Sequence, residues 1–321
     1  MSKKVKKILA NFYQPRWWTE TAFPYLQSHA VRNISELVYS PPRDPEPLMD
    51  MDWDNVIILD GCRYDLFEGA NTIDGQLDYR ISLGSATPEF LMRNFGHDQY
   101  HDTVYVTANP MYRKYGLGDV FHNVNDVWES HWDEKLNTVR PEAVAEATKT
   151  ADKRYPNKRI ISHFMQPHYP FIGELADEIG DHSGYELSYR EVTEGKASRD
   201  APTVWDRLKR GELSQELVWN AYQENLELTL PHVRELIKQF GGKTAVTSDH
   251  GNLVGEQPFP LSNEIYGHPM GIRHRHLCRV PWFVVEDEER KEIVEEETSE
   301  QSVGMSKTVS DRLSDLGYVD T

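Results

Sequence analysis

The sequence predicts an α/β fold, a mostly parallel central sheet with helices on both faces. Three observations lead there. Short unbroken runs rich in β-branched residues, such as "NVIIL" at Asn55–Leu59, read as strands buried on both sides. These runs alternate with helical periodicities, the order that builds a sheet covered on both faces. Several runs also end on residues with chemistry, as where "KTAVTSDHGN" breaks off at Ser248, Asp249, His250 and Gly251.

The elements follow in order. Residues 1–42 read as an N-terminal helical segment. Its start, "MSKKVKKILANFYQPRWW", lacks the continuous apolar stretch and small-residue cleavage site of a signal peptide. Lys3, Lys4, Lys6 and Lys7 with Trp17 and Trp18 offer a weak membrane-surface contact; the plainer reading is a helix packed on the domain. Arg43–Asp52, Pro-rich and acidic, reads as a linker. The main domain is 43–321. The strand Asn55–Leu59 ends at Asp60 and Gly61, and "TVYVTA" at Thr103–Ala108 is the next strand. Pro141–Arg154 is a helix with Ala143, Val144 and Ala147 on one face, and "RIISHFM" at Arg159–Met165 is a strand running into "QPHYPF".

The polar span 173–212 has no sustained period and reads as an insertion or site loop. Leu217–Phe240 is the clearest helix, with Leu226, Leu230, Val233 and Ile237 at helical spacing. Gly241 and Gly242 close it, and Pro231 is expected to kink or divide it. "RVPWFVV" at Arg279–Val285 is a further strand, followed by a solvated acidic run from Glu286 to Glu300 and a short helix through Leu313 and Leu316.

Composition narrows the function. The 321 residues are ample for one large domain with a sizeable core. Fifty-two acidic against 35 basic residues give a net charge of -17, a field that repels nucleic acid and anionic membranes. That charge suits solubility in high salt, as in a halophile, or an ordinary acidic cytosolic enzyme. Two distant cysteines, Cys62 and Cys278, make no disulfide framework and read as buried free thiols. No apolar run approaches the roughly 20 residues of a membrane helix. The expected location is cytoplasmic, with peripheral membrane contact as its variant.

In a parallel sheet the ligand site lies outside the carboxyl ends of the strands. Asp60 follows the first strand, Asp249 and His250 a later one, His168 a third, and His268 precedes "RVPWFVV". Together they suit a divalent cation, zinc or manganese first, with magnesium and calcium as alternatives. Singly, each has a plainer role: a strand-end Asp caps helices and forms turns, and a lone His is often a hydrogen-bonded structural residue. Ser85 and Thr87 lie in a Gly/Ser/Thr turn before "TPEFLMRNF". Pro88 fits the first helical position, with Thr87 as N-cap. A helix start there also aims N–H groups at an anion, and a hydroxyl beside it suits a nucleophile. His163, inside its strand, reads as structural, and His274 and His276 as surface residues.

With these pieces in place, the chain resembles the sulfatase-like branch of the alkaline phosphatase superfamily over residues 53–319. "VIILDGCRYD" is similar to the family's first strand with its metal-binding Asp, and "GSATPEF" sits where the family carries its nucleophile. "FMQPHYPF", "TSDHGNLVGE", "YGHPMGIRHRHLCRVPWFVV" and "RLSDLGYV" follow in the family's order. The resemblance implies an alkaline-phosphatase-like catalytic domain over 43–321 and a metal held by Asp60, Asp249, His250 and the nucleophile. Thr87 takes the nucleophile's place, with Ser85 as the second choice. His168 and His268 would contact the transferred group or protonate the leaving oxygen.

The implied activity is hydrolysis or transfer of a phosphate-type ester of a small molecule, sugar or lipid head group. Neither cysteine has the Cys-x-Pro-x-Arg context of formylglycine, so the alternatives are a sulfate-ester hydrolase lacking that group and a non-catalytic relative binding an anionic glycan or a partner. The "QPHYPF" segment lacks the family's second Asp, which implies one metal.

Overall fold

The first strand is apolar from Val56 to Leu59 because both of its faces are covered. Ile57 and Leu59 enter one core with Phe164, Leu226 and Phe283, while Val56 and Ile58 enter another with Trp53, Phe90 and Phe95. A computed structural model describes residues 23–180, 189–190, 192–193, 195, 202–287 and 289–295. The Lys/Trp cluster near the start, much of 181–201 and the expected helix at Leu313 and Leu316 lie outside them.

The central sheet has seven strands. In chain order these are β1 (Asn55–Leu59), β2 (Gln76–Ile81), β3 (Tyr100–Thr107), β4 (Phe121–Asp126), β5 (Arg159–Phe164), β6 (Lys243–Thr247) and β7 (Arg279–Glu286). Their spatial order is β2–β7–β6–β1–β5–β3–β4. Pairing is parallel across β6–β1–β5–β3–β4, and β7 runs antiparallel to both of its neighbours. The predicted fold class holds. Two strands escape the sequence reading. β2 alternates polar and apolar as an edge strand does, and β4 is "FHNVND", rich in residues that avoid strands.

The helices are α1 (Phe23–Val38), α2 (Tyr64–Ala70), α3 (Thr87–Phe95), α4 (Pro141–Arg154), α5 (Val204–Lys209) and α6 (Gln215–Gln239), with a few shorter turns. α6 begins where Ser214 Oγ accepts a hydrogen bond from Leu217 N at 3.1 Å. It then runs unbroken through Pro231 rather than being divided there. Its buried face, Ala221, Leu226, Leu230 and Val233, holds it to the first core, and tertiary packing of this kind outweighs one lost backbone bond.

Two other expectations are revised. The stretch read as a linker is fastened down. Leu48 is fully buried, its N–H bonds Asn94 Oδ1 at 2.7 Å, and Arg43 is paired with Asp78 at 3.0 Å. The polar span contributes Val204, Trp205 and Leu208 to the core through α5, whose start is a capping box of Thr203 and Asp206.

Ile57 is fully buried in the middle of the sheet. Ile57→Ala should lower the unfolding free energy by about 2–5 kcal/mol, read from the shift of the urea midpoint.

Candidate metal centre

Register decides what meets at the carboxyl edge. Ile58 pairs with Thr247 on one side and His163 on the other, and Thr107 also pairs with His163. Strands β1, β3, β5 and β6 therefore end in step. The residues just beyond them, Asp60, Asn109, His168 and Asp249 with His250, emerge together. Gly61 makes the turn after Asp60 in the left-handed region, at φ 66°. A Cβ there would stand 2.9 Å from Asn252 Nδ2 and 3.3 Å from the His168 ring, so the turn admits no side chain.

Thr87 is the first residue of α3, whose N-cap is Ala86. The expected capping role is absent because the Thr87 hydroxyl is directed elsewhere. It donates to Asp249 Oδ2 at 2.8 Å and lies 3.3 Å from His250 Nε2. Asp249 Oδ1 accepts from Gly61 N and His250 N, both at 2.9 Å, which fixes the carboxylate in its plane. His250 Nδ1 lies 2.8 Å from Gly251 O, so the proton sits there and the Nε2 lone pair is free to point inward. That nitrogen is 3.3 Å from Asp249 Oδ2 and 3.9 Å from Asp60 Oδ1.

The donor set fits a divalent cation. Asp60, Asp249 and His250 are fully buried, and one ligand atom from each falls within 4.8 Å of the others. Among the described residues, Asp60 Oδ1 has no hydrogen-bond partner, a costly state for a buried carboxylate oxygen without a cation. Donors about 2.0–2.2 Å from one zinc ion at tetrahedral angles stand roughly 3.3–3.6 Å apart, close to the spacings seen here. Burial works to raise the Asp60 carboxyl, but the surrounding imidazoles of His163, His168 and His250 outweigh it and hold it below the usual carboxylate range.

Two residues missed in the sequence reading support Asp60. Asn109 Nδ2 donates to Asp60 Oδ2 at 3.0 Å. His163, read as merely structural, places Nε2 3.6 Å from the same oxygen while its Nδ1 lies 2.7 Å from Tyr105 Oη. Both had a signal: Asn109 follows β3 as Asp60 follows β1, and a histidine inside an apolar central strand needs partners.

His168 and His268 come together across the opening. Their Nε2 atoms are 2.9 Å apart, and the His268 ring stacks on His250 with centroids 4.4 Å apart. His168 Nδ1 is bonded to Tyr169 O, so the proton between the two Nε2 atoms belongs to His268. Burial lowers the basicity of both imidazoles. Ser85 is turned away from Thr87, with its Oγ 3.1 Å from Glu89 Oε2 and 3.2 Å from Pro269 O. Cys62 and Cys278 are buried free thiols, pushed up by burial.

His274 and His276 are half-buried rather than on the surface. His274 caps the short helix Arg275–Cys278, and His276 Nδ1 is 3.5 Å from Asp65 Oδ2. Asp65 in turn is held by Arg63, whose guanidinium also binds Glu256 at 2.6 Å.

No family profile matches the chain, and no curated protein matches it. Among solved structures it is similar to the C-terminal periplasmic domain of phosphoethanolamine transferase EptC from Campylobacter jejuni. Identity there is 13%, over 73% of this chain and 78% of that one, with a TM-score of 0.43. It is similar too to the lipoteichoic acid synthase LtaP from Listeria monocytogenes, at 13% identity over 80% and 70% of the chains, TM-score 0.41. A protein in the alkaline phosphatase superfamily from Vibrio parahaemolyticus is 10% identical over 83% and 69%, TM-score 0.42. At such scores these likenesses carry no chemistry over to this chain. Among the described residues, no helix is long and apolar enough to cross a membrane.

Two outcomes are expected. Asn109→Ala should weaken zinc binding, measured by calorimetry, by about 10–100-fold, because it frees the Asp60 carboxylate to turn. His276 is held down to about 4 by burial and by Arg63, against an unfolded value of 6.5. The unfolded chain therefore binds the extra proton first, and stability is lost as pH falls from 6.5 toward 4. In chelator-treated protein, His276→Asn should flatten that decline in urea titrations; an unchanged slope would count against it.

Proposed function

We propose that this chain is a metal-dependent phosphoric-ester hydrolase or transferase with Thr87 as its nucleophile. The observation that supports it is the Thr87 hydroxyl, 2.8 Å from Asp249 Oδ2 and 3.3 Å from His250 Nε2 at the start of a helix. Asp60, Asp249, His250 and Thr87 would hold the cation. Zinc or manganese suits this mixed nitrogen and oxygen set, ahead of magnesium or calcium. A bound cation supplies Lewis acidity to the Thr87 oxygen and to a phosphoryl oxygen.

The chain's residues then divide the work. Asp249 Oδ2 accepts the Thr87 hydroxyl proton, as its hydrogen bond already prepares it to do. The Thr87 oxygen forms a bond to phosphorus in line with the ester oxygen, whose bond to phosphorus breaks. The His168–His268 pair, once it has taken up a proton, gives it from His268 Nε2 to the departing alcohol and returns to neutral imidazoles. Water or an acceptor alcohol then attacks phosphorus from the same side and gives its proton to the imidazole pair; the Thr87 O–P bond breaks, and Thr87 takes its proton back from Asp249. At the start of α3, where Pro88 has no N–H and Phe90 N is bonded to Ala86 O, the N–H groups of Thr87 and Glu89 would stabilise charge on the phosphoryl oxygens through both steps.

The substrate class is a phosphate ester of a small molecule, sugar or lipid head group. Thr87→Ala on metal-loaded protein should reduce turnover of an aryl phosphate by at least about 10³-fold while metal content is retained. Thr87→Ser should keep partial activity. An active Thr87→Ala protein would remove Thr87 from the role. Faster turnover of aryl sulfate than of aryl phosphate by the wild-type protein would favour sulfate-ester hydrolysis.

A further inference from the structure

Ser85 and Glu89 lie outside the set of donors, yet they are among the most buried polar groups in the molecule. Ser85 is fully buried and the Glu89 side chain is 1% exposed. Glu89 Oε2 accepts from Ser85 N at 2.9 Å and stands 3.1 Å from Ser85 Oγ. Its Oε1 accepts from Arg273 Nη2, and Arg93 closes from the other side at 3.1 Å. Ser85 Oγ accepts from Gly271 N at 2.9 Å and lies 3.2 Å from Pro269 O. The loop 268–273 is thus fastened to the start of α3 through one serine and one glutamate. Its far end is tied to α1, where Ser35 Oγ accepts from Arg273 N at 3.0 Å.

The spacing gives this arrangement its meaning. His268 adjoins Pro269, and Thr87 lies just beyond Ser85, so the clamp joins the two chain segments that carry the hydroxyl and the imidazole. A carboxylate this deep is strongly unfavourable unless it is fully paired. Here its oxygens meet two guanidinium groups, a backbone N–H and a hydroxyl.

We propose that Ser85 and Glu89 are positioning residues which set the separation between His268 and the Thr87 hydroxyl. The role rests on the phosphate-ester reading above. A misplacement of about 1 Å costs on the order of 10²-fold in rate, so slack in the clamp acts on the rate of the chemical step rather than on binding.

The test uses the metal-loaded full chain with Ser85→Ala, Glu89→Gln, His268→Gln and the Ser85→Ala/His268→Gln double variant. Ser85→Ala and Glu89→Gln should each lower kcat on aryl phosphate by about 10–100-fold. KM and zinc affinity should stay within about 2-fold. In the His268→Gln background, Ser85→Ala should cost little more, since both act through one imidazole. Hydrogen exchange, read without substrate, should speed up across 268–273 in Ser85→Ala, and the His268 ring signals should shift in NMR.

Fully multiplicative losses in the double variant, or a loss of zinc in Ser85→Ala, would overturn the assignment. So would a Ser85→Ala protein inactive alongside an active Thr87→Ala, which would make Ser85 the nucleophile. If the wild-type protein turns over no phosphate ester, the functional reading falls and the rate arm with it. Exchange and ring shifts still decide the clamp, and unmoved values in Ser85→Ala sink it.

Discussion

The structure depends on burying two carboxylates side by side. Asp60 and Asp249 are both inaccessible to solvent, and the groups that hold them are neutral donors: Asn109, the Thr87 hydroxyl and backbone N–H groups. Arg80 offsets Asp249 in part; it is itself buried, bonded to Thr247 Oγ1 at 3.1 Å and lowered to about 10 by that burial. Such an arrangement is expensive in a low-dielectric interior unless a cation joins it. The parallel strands, the left-handed turn at Gly61 and the bond that fixes the His250 tautomer all bring ligand atoms to one point.

The opposite edge of the sheet has a different task. There the segment after β7, expected to be a solvated acidic run, returns across the amino ends of the strands. Arg290 pairs with Asp52 at 2.8 Å and also with Asp54, and Lys291 pairs with Asp152 at 2.6 Å and reaches Asn55 Oδ1 at 2.7 Å. Glutamates dominate the composition of that run, and two basic residues among them decide its path. One edge gathers buried negative charge, while the other neutralises it for fastening.

The sequence showed the main outline because the physics behind it is local. β1 could be read from "NVIIL" and α4 was placed at its observed limits, since an unbroken apolar run and a helical period need no tertiary knowledge. The strand-end rule picked out Asp60, Asp249, His250 and His168 for the same reason. What stayed hidden depends on pairing between distant segments. Arg80 sits in an edge strand whose polar alternation looks like a loop, and its meaning comes from Thr247 and Asp249. Thr87 had the residue type of a helix cap, and only the approach of Asp249 shows why its hydroxyl points away from its own helix. His163 and Asn109 matter only once β5 lies beside β1 and β3 beside β5.

That pairing has a kinetic consequence. Gly61 N and Asp249 Oδ1 are 188 positions apart in the chain, and the β1–β6 register that brings them together is no more local. Contacts this distant carry a loop-closure entropy that local contacts do not, and they slow folding. The candidate cation site is complete only once that long-range pairing has formed. A cation that binds only this folded arrangement would stabilise it over the unfolded chain by mass action. Uptake of an ion there would report that β1 and β6, distant in the chain and adjacent in the sheet, have paired.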